Sequence, residues 1–221
     1  MPKQTFLNLH SEKRHRIENA FYREFTIHKY DDASISSVLK VLGLAKGSFY
    51  QYFENKEDLF KYLMQHCFEI KMGYISHVKR EDFETFWDFW RAMYSEGLQF
   101  DKECPLLSNF GYHLMENMNS PTIKPMYNAL YQQGLAGMKT LIQPEINNGS
   151  FRKDIPPDRL AFYLMKTGEQ LLQFMKFNHN EELELRIQKG ESLFAGKNEK
   201  LFFELLDDNI CLQSQAMNAK N

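Results

Sequence analysis

Residues 34–59 read SISSVLKVLGLAKGSFYQYFENKEDL, and the organisation of the chain can be worked out from them. Ser34 is placed to cap a short helix in which Ile35, Val38, Leu39 and Leu42 recur at i, i+3, i+4 and i+7, a single apolar face. Gly43 follows where a left-handed stop is needed. A second short helix is expected from Ala45 to Phe53, joined to the first through Leu42-Gly43-Leu44. Two short helices with that turn have the dimensions of a helix-turn-helix. In the latter helix Ala45, Phe49 and Phe53 share one side and are expected to anchor it inward. The opposite side carries Lys46, Gly47, Tyr50 and Gln51, with Ser48 and Tyr52 at the flanks. That side suits a DNA major groove: small residues let the backbone approach, and Lys46 and Gln51 can meet guanine or adenine edges. The hydroxyls of Ser34, Ser48, Tyr50 and Tyr52, and the Lys56 ammonium at the next helix start, can reach phosphates. Periodicity alone is equally met by a short amphipathic helix with a solvated polar face.

Helical spacing continues in both directions, and no alternating strand run occurs, so an all-α fold is expected. Upstream, Ser11 can cap a helix with Ile17, Ala20, Phe21 and Phe25 on its inner face, broken by Asp31-Asp32. Downstream, Asn55 can cap a long helix whose first turn holds Glu57 and Asp58, where the dipole favours acids. Its buried stripe is Leu59, Leu63, Cys67, Ile70 and Tyr74, reaching about Val78. Further helices are expected at 82–100, 105–118, 121–147, 157–178, 181–193 and 198–213, with Pro121 and Pro157 as starts and Pro144 as a kink or end. Asn147-Asn148-Gly149-Ser150 reads as a turn and 214–221 as a frayed polar tail.

With 221 residues, 43% hydrophobic and 25% charged, the chain is long enough for a sizeable core. Its formal charge of −2 excludes a globally basic nucleic-acid binder. Residues 1–61 are mildly basic, with ten Lys/Arg against eight Asp/Glu, and Lys13, Arg14, Arg16 and Arg23 sit early, near His10 and His15. That bias permits phosphate contact without requiring it. Cys67, Cys104 and Cys211 are far apart and without metal-like spacing, as in a reducing compartment. Neither a signal peptide nor a membrane span is visible, so a soluble, cytoplasmic protein is expected.

Ile17-x-x-Ala20-Phe21-x-x-x-Phe25, then Tyr30, then Gly43-Leu44-Ala45-Lys46-Gly47-Ser48-Phe49-Tyr50-Gln51-Tyr52-Phe53-x-x-Lys56-Glu57-x-Leu59, resembles the DNA-binding region of TetR-family repressors. The pattern occupies about a fifth of the chain. The resemblance implies an N-terminal three-helix helix-turn-helix DNA-binding domain, 1–55, fused to a larger helical effector-binding and dimerisation domain, 56–221. It implies that Lys46, Gly47, Ser48, Tyr50 and Gln51 face bases, that Ser34, Tyr52 and Lys56 touch the DNA backbone, and that Phe49 and Phe53 hold the three-helix unit together. The implied partners are a near-palindromic double-stranded operator, a second copy of the chain and a small hydrophobic effector. Two positions depart from the family pattern. Lys29 stands where the first helix usually ends on Gly, so that turn is expected to be strained or rebuilt. Ala45 replaces the usual Ser or Thr cap of the recognition helix, an exchange that typically costs about 1 kcal/mol.

The remaining sequence is compatible with those implications. Phe83, Phe86, Trp87, Phe89, Trp90, Met93 and Tyr94 crowd one helix nearly all round, and Phe110, Tyr112, Met115, Met118, Met126, Tyr127, Tyr131 and Met138 add adaptable apolar surface. Candidate effector contacts are Trp87, Trp90, Tyr94, Phe110, His113, Tyr127, Tyr131 and Gln170, with His113 or Gln170 orienting a flat or elongated apolar molecule. Aromatic residues at helical spacing serve equally as core. The implied dimer interface falls on 157–178, with Leu160, Leu164, Leu171, Leu172 and Met175, and on 198–213, with Leu201, Phe202, Leu205 and Leu206; the same stripes could simply close a monomer core.

No catalytic set converges. Gly190 to Lys197 is one residue too long for a phosphate loop and ends on Asn198 instead of Ser or Thr. His66 and Cys67 are adjacent and diverge on a helix, and the His113/Glu116 pair has no second pair to complete a metal site. Neither an enzyme activity, a metal nor a cofactor is expected. A ligand-responsive repressor is the leading expectation, in which an effector biases the long helix that begins at Lys56. The alternative is a helical sensor or partner-binding protein of the same fold without specific DNA binding.

Overall fold

The structure is a computed structural model that describes residues 1–116 and 120–219. Some 77% of it is helical, and no strand occurs among the described residues. The helices are α1 (Gln4–Leu7), α2 (Ser11–Ile27), α3 (Ile35–Leu42), α4 (Lys46–Tyr52), α5 (Lys56–Ile75), α6 (Phe86–Glu103), α7 (Pro105–Glu116), α8 (Lys124–Asn147), α9 (Pro157–Met165), α10 (Thr167–Lys189) and α11 (Lys197–Met217). No helix among the described residues is long and apolar enough to cross a membrane.

Two compact units emerge. The first comprises 1–74, 99–126 and 185–193; the second comprises 75–98, 127–184 and 194–221. The first therefore extends past the expected boundary at residue 55. The reason is the apolar face of α5: Leu59, Phe60 and Leu63 are buried, and Phe60 packs edge-on against Phe25 and Tyr30 at centroid distances of 4.9 and 5.0 Å. Phe110 of α7 joins the same core, 5.0 Å from Tyr22 and 5.6 Å from Phe60. Aromatic pairs of this geometry add stability beyond their area.

Ile17, Phe21 and Phe25 form the buried stripe of α2, as their spacing predicts, but Tyr22, Glu18 and Thr26 are buried beside them. Tyr22 donates its hydroxyl proton to the Leu63 carbonyl at 2.9 Å, and burial drives its phenol pKa upward. Glu18 accepts a 2.5 Å hydrogen bond from Tyr62 and faces Arg14 at 3.8 Å, so the buried carboxylate is compensated. Ser11 is the first helical residue of α2; the cap position belongs to His10, whose side chain makes no capping bond.

In the second unit the core is built on Phe86, Phe89 and Trp90 of α6, Ile142 and Ile146 of α8, Leu160, Ala161 and Leu164 of α9, Met217 of α11, and Phe151 from the segment between α8 and α9. Arg80 donates to the buried Glu145 carboxylate at 2.7 Å, tying the turn before α6 to α8. Pro144 lies inside α8 without ending it. The helix expected over 157–178 is divided at Lys166, and a break at His179 (φ −137°, ψ 30°) matches the gap expected after residue 178. Tyr94 hydrogen-bonds to Thr167 and Gly168, and a Cβ at Gly168 would lie 3.4 Å from the Tyr94 hydroxyl oxygen. The C-terminal residues to Ala219 are not a frayed tail: α11 continues to Met217, whose carbonyl accepts from the Arg152 N–H at 2.9 Å. Met118, the side chains of Met115 and Glu116, and residues 220 and 221 lie outside the described residues.

Candidate DNA-reading site

Ser34 caps α3, its Oγ accepting from the Ser37 N–H at 3.2 Å, while the Ser34 N–H donates to the Glu24 carboxylate of α2 at 2.7 Å. Gly43 ends α3 with φ 68°, the left-handed conformation that a residue with a Cβ adopts only at a cost. Arg16 donates to the Leu42 carbonyl at 3.0 Å, and Arg14 donates to the Leu7 carbonyl at 3.2 Å. Two of the early basic residues are thus engaged within the fold.

On α4, Phe49 is buried, 6.2 Å from Phe21 and 5.9 Å from Phe53, and Phe53 is buried at the C-cap. Opposite them Lys46, Gly47, Tyr50 and Gln51 are exposed together, Tyr50 to 63%, and Ser48 is half-buried at the flank. Nothing lies within 4 Å of the position a Gly47 Cβ would take, so the backbone there is open to close approach. A depression of about 220 Å³ beside this face is lined by Ile35, Ser36, Leu39, Lys46, Phe49, Tyr50, Asn55 and Lys56.

Three residues sit differently from what their spacing alone suggests. Ala45 does not anchor α4: it is exposed at the N-cap with extended backbone (φ −69°, ψ 148°), outside the helical periodicity, and it makes no capping bond. Tyr52 is only 7% exposed, its ring 5.6 Å from Phe6, so its ring supports the helix from behind. Lys56 donates to the carbonyls of Ala33 at 2.6 Å and Asp31 at 3.3 Å, with its ammonium 4.8 Å from the Tyr30 ring centroid. Burial lowers its pKa, opposed by Asp31, Asp32 and Glu24. It ties down the turn between α2 and α3 from the start of α5. In that turn the Lys29 carbonyl accepts from the N–H groups of Asp32 and Ala33 at 3.0 and 2.9 Å, and no non-glycine residue among those described has positive φ. The turn is rebuilt without strain at Lys29.

Residues 19–63 match the family model described as bacterial regulatory proteins, tetR family. An HTH-type transcriptional regulator of Staphylococcus aureus (strain USA300) is 29% identical over 89 residues, covering 40% of this chain and 48% of that protein. The chain thus spans about half the length of the curated relatives it matches. A TetR family transcriptional regulator from Chloroflexus aurantiacus J-10-FL superposes with a TM-score of 0.74 at 26% identity, covering 100% of both chains. Residues 19–63 and the fold as a whole are thus similar to those of TetR-family transcriptional regulators. The same fold is found in a solved SmeT–triclosan complex, with a TM-score of 0.67 at 16% identity over 96% of this chain and 94% of that one.

The candidate effector contacts do not all share one unit. Phe110 and His113 lie in the first, where Phe110 is core. Trp87, Trp90, Tyr94, Tyr127, Tyr131 and Gln170 lie in the second. Trp90 and Tyr94 meet edge-on at 5.3 Å, and Tyr127 stacks on Tyr131 at 6.0 Å. Trp87 donates to Asn218 at 2.9 Å, and Gln170 is exposed rather than aimed into an interior. Two polar atoms stand out: Trp90 Nε1 and the Tyr131 hydroxyl are buried with no hydrogen-bond partner among the described residues. Leu160, Leu164, Leu171, Leu172, Met175, Phe202 and Leu206, expected at a dimer interface, are buried within the single chain. The exposed apolar residues nearby are instead Phe162 and Tyr163 of α9, Phe174 and Phe177 of α10, and Leu212 of α11.

Proposed function

We propose that this chain is a sequence-specific transcription regulator, a cytoplasmic repressor that reads DNA through α4 and leaves its operator when a small apolar effector binds. The observation that carries this reading is the two-sidedness of α4: Phe49 and Phe53 are buried while Lys46, Gly47, Tyr50 and Gln51 are exposed together. Lys46 and Gln51 supply the donor and acceptor groups that base edges demand, Tyr50 and Ser48 supply hydroxyls, and Gly47 permits the approach. Ser34, exposed in part at the start of α3, is placed for a phosphate.

A seven-residue helix reads too few bases to specify an operator alone, so the reader acts as a two-fold homodimer on half-sites about 34–36 Å apart. Phe162, Tyr163, Phe174, Phe177 and Leu212 offer the apolar surface for that pairing, Phe177 being 90% exposed. The effector reading is supported by Trp90 Nε1 and the Tyr131 hydroxyl, since buried polar atoms are normally satisfied and each could take an acceptor on an otherwise apolar ligand. Binding that favours one separation of the two reading heads would release DNA by population shift.

Selection from a random duplex library, followed by binding titrations across salt, tests the reading. A near-palindromic site bound about 10³-fold or more over random duplex is expected. Equal binding of selected and random DNA would overturn it, in favour of a helical sensor that keeps the fold without reading sequence.

A further inference from the structure

Residues 3–6, outside the stretch that matches the family model, close the C-terminal end of α4. A helix of seven residues leaves a large share of its carbonyls without helical partners, and its last turn frays unless something satisfies them. Here three consecutive carbonyls are satisfied by three donors from a three-residue stretch. The Lys3 N–H donates to the Tyr52 carbonyl at 2.8 Å, the Lys3 ammonium donates to the Tyr50 carbonyl at 2.8 Å, and the Thr5 hydroxyl donates to the Gln51 carbonyl. The ammonium also pairs with Glu54 at 2.7 Å, and its charge complements the negative end of the helix dipole.

Phe6 fastens this segment. It is fully buried, with its ring 4.8 Å from Phe53, 5.6 Å from Tyr52 and 5.5 Å from Tyr62 of α5. The four-residue α1 has too few hydrogen bonds to persist alone, so its order depends on that ring. The N-terminus of α4 has no matching support, because Ala45 makes no capping bond.

We propose that Lys3 and Thr5, anchored by Phe6, are positioning residues for DNA reading. They act through the carbonyls of Tyr50 and Gln51, the residues whose side chains face the groove. This rests on the reading of α4 as the DNA-contacting helix. Without the strap, the last turn of α4 samples open conformations, and Tyr50 and Gln51 lose their fixed aim. Lys3 makes its contribution through a carbonyl and not a phosphate.

The test uses the full chain carrying Lys3→Ala with Thr5→Val, compared with wild type and with the donor-preserving pair Lys3→Arg with Thr5→Ser. In the free protein, hydrogen exchange at the amides of Tyr50 to Phe53 should quicken about tenfold in the first variant and return toward wild type in the second. Affinity for the duplex selected by wild type should fall about tenfold with the salt slope unchanged, since no phosphate contact is removed. Phe6→Ala should give the same pattern, exaggerated, and if it unfolds the first unit the Lys3/Thr5 pair still decides. Unchanged exchange at Tyr50 to Phe53 overturns the proposal, as does a salt slope smaller by about one, which would make Lys3 a phosphate contact. Should wild type select no duplex, the regulator reading falls, and the exchange measurement alone decides whether the strap holds the helix.

Discussion

The two compact units use aromatic side chains for opposite ends. In the first, Phe6, Phe21, Phe49, Phe53 and Tyr62 form a cluster whose product is a polar surface: they press one side of α4 inward so that Lys46, Tyr50 and Gln51 are held outward. In the second, Phe86, Phe89 and Trp90 are themselves the core, and the polar atoms that matter, Trp90 Nε1 and the Tyr131 hydroxyl, are turned inward. An aromatic surplus is therefore not by itself a sign of a ligand site. What distinguishes the units is where the hydrogen-bonding groups attached to the aromatic framework end up.

The largest expected effect lies in the first unit. Phe53→Ala removes a fully buried ring at the C-cap of α4 and should cost about 3–5 kcal/mol in denaturant unfolding. A loss under about 1 kcal/mol would show that the cluster does not hold the reading helix. Next, Lys46→Ala with Tyr50→Phe should leave the unfolding midpoint within about 0.5 kcal/mol while lowering the preference for a selected duplex by about 1–3 kcal/mol per lost base contact. Equal damage to stability and to binding would erase the contrast between the two faces of α4. The smallest effect belongs to the second unit. Tyr131→Phe deletes a buried hydroxyl that has no partner among the described residues, so the free protein should be unchanged or about 1 kcal/mol more stable. The same variant should lose part of the thermal shift produced by any effector found by screening apolar compounds. A destabilised free protein would show that the hydroxyl is already satisfied.

The helix-turn-helix was legible because its determinants are local. Ser34, the Ile35/Val38/Leu39/Leu42 face, Gly43 and the Phe49/Phe53 pair all act within one or two turns, where periodicity and capping rules apply. Ala45 departs from its expected inward place because the 100° rotation per residue begins only inside the helix, and it lies one position before. The inward partners of Tyr52 and Lys56, Phe6 and the carbonyls of Asp31 and Ala33, are not legible in the sequence because they are remote along the chain. The strap at residues 3–6 was invisible for a related reason: four helical residues are too short to show a period. The buried carboxylates Glu18, Asp101 and Glu145 were missed because burial of a charge is decided by its partner; Asp101 accepts from Ser108 at 2.7 Å and from Ser192, ninety-one residues away. The apolar residues left exposed on α9, α10 and α11 could not be separated from those buried there, because all of them occur at helical spacing.

The most direct measurement is a structure of this protein bound to its selected duplex. It should place α4 in the major groove with Lys46 and Gln51 within about 3.2 Å of base edges, Gly47 against the groove wall and Phe49 and Phe53 still buried. A complex in which α4 faces away from the duplex, with DNA held by another surface, would contradict the account.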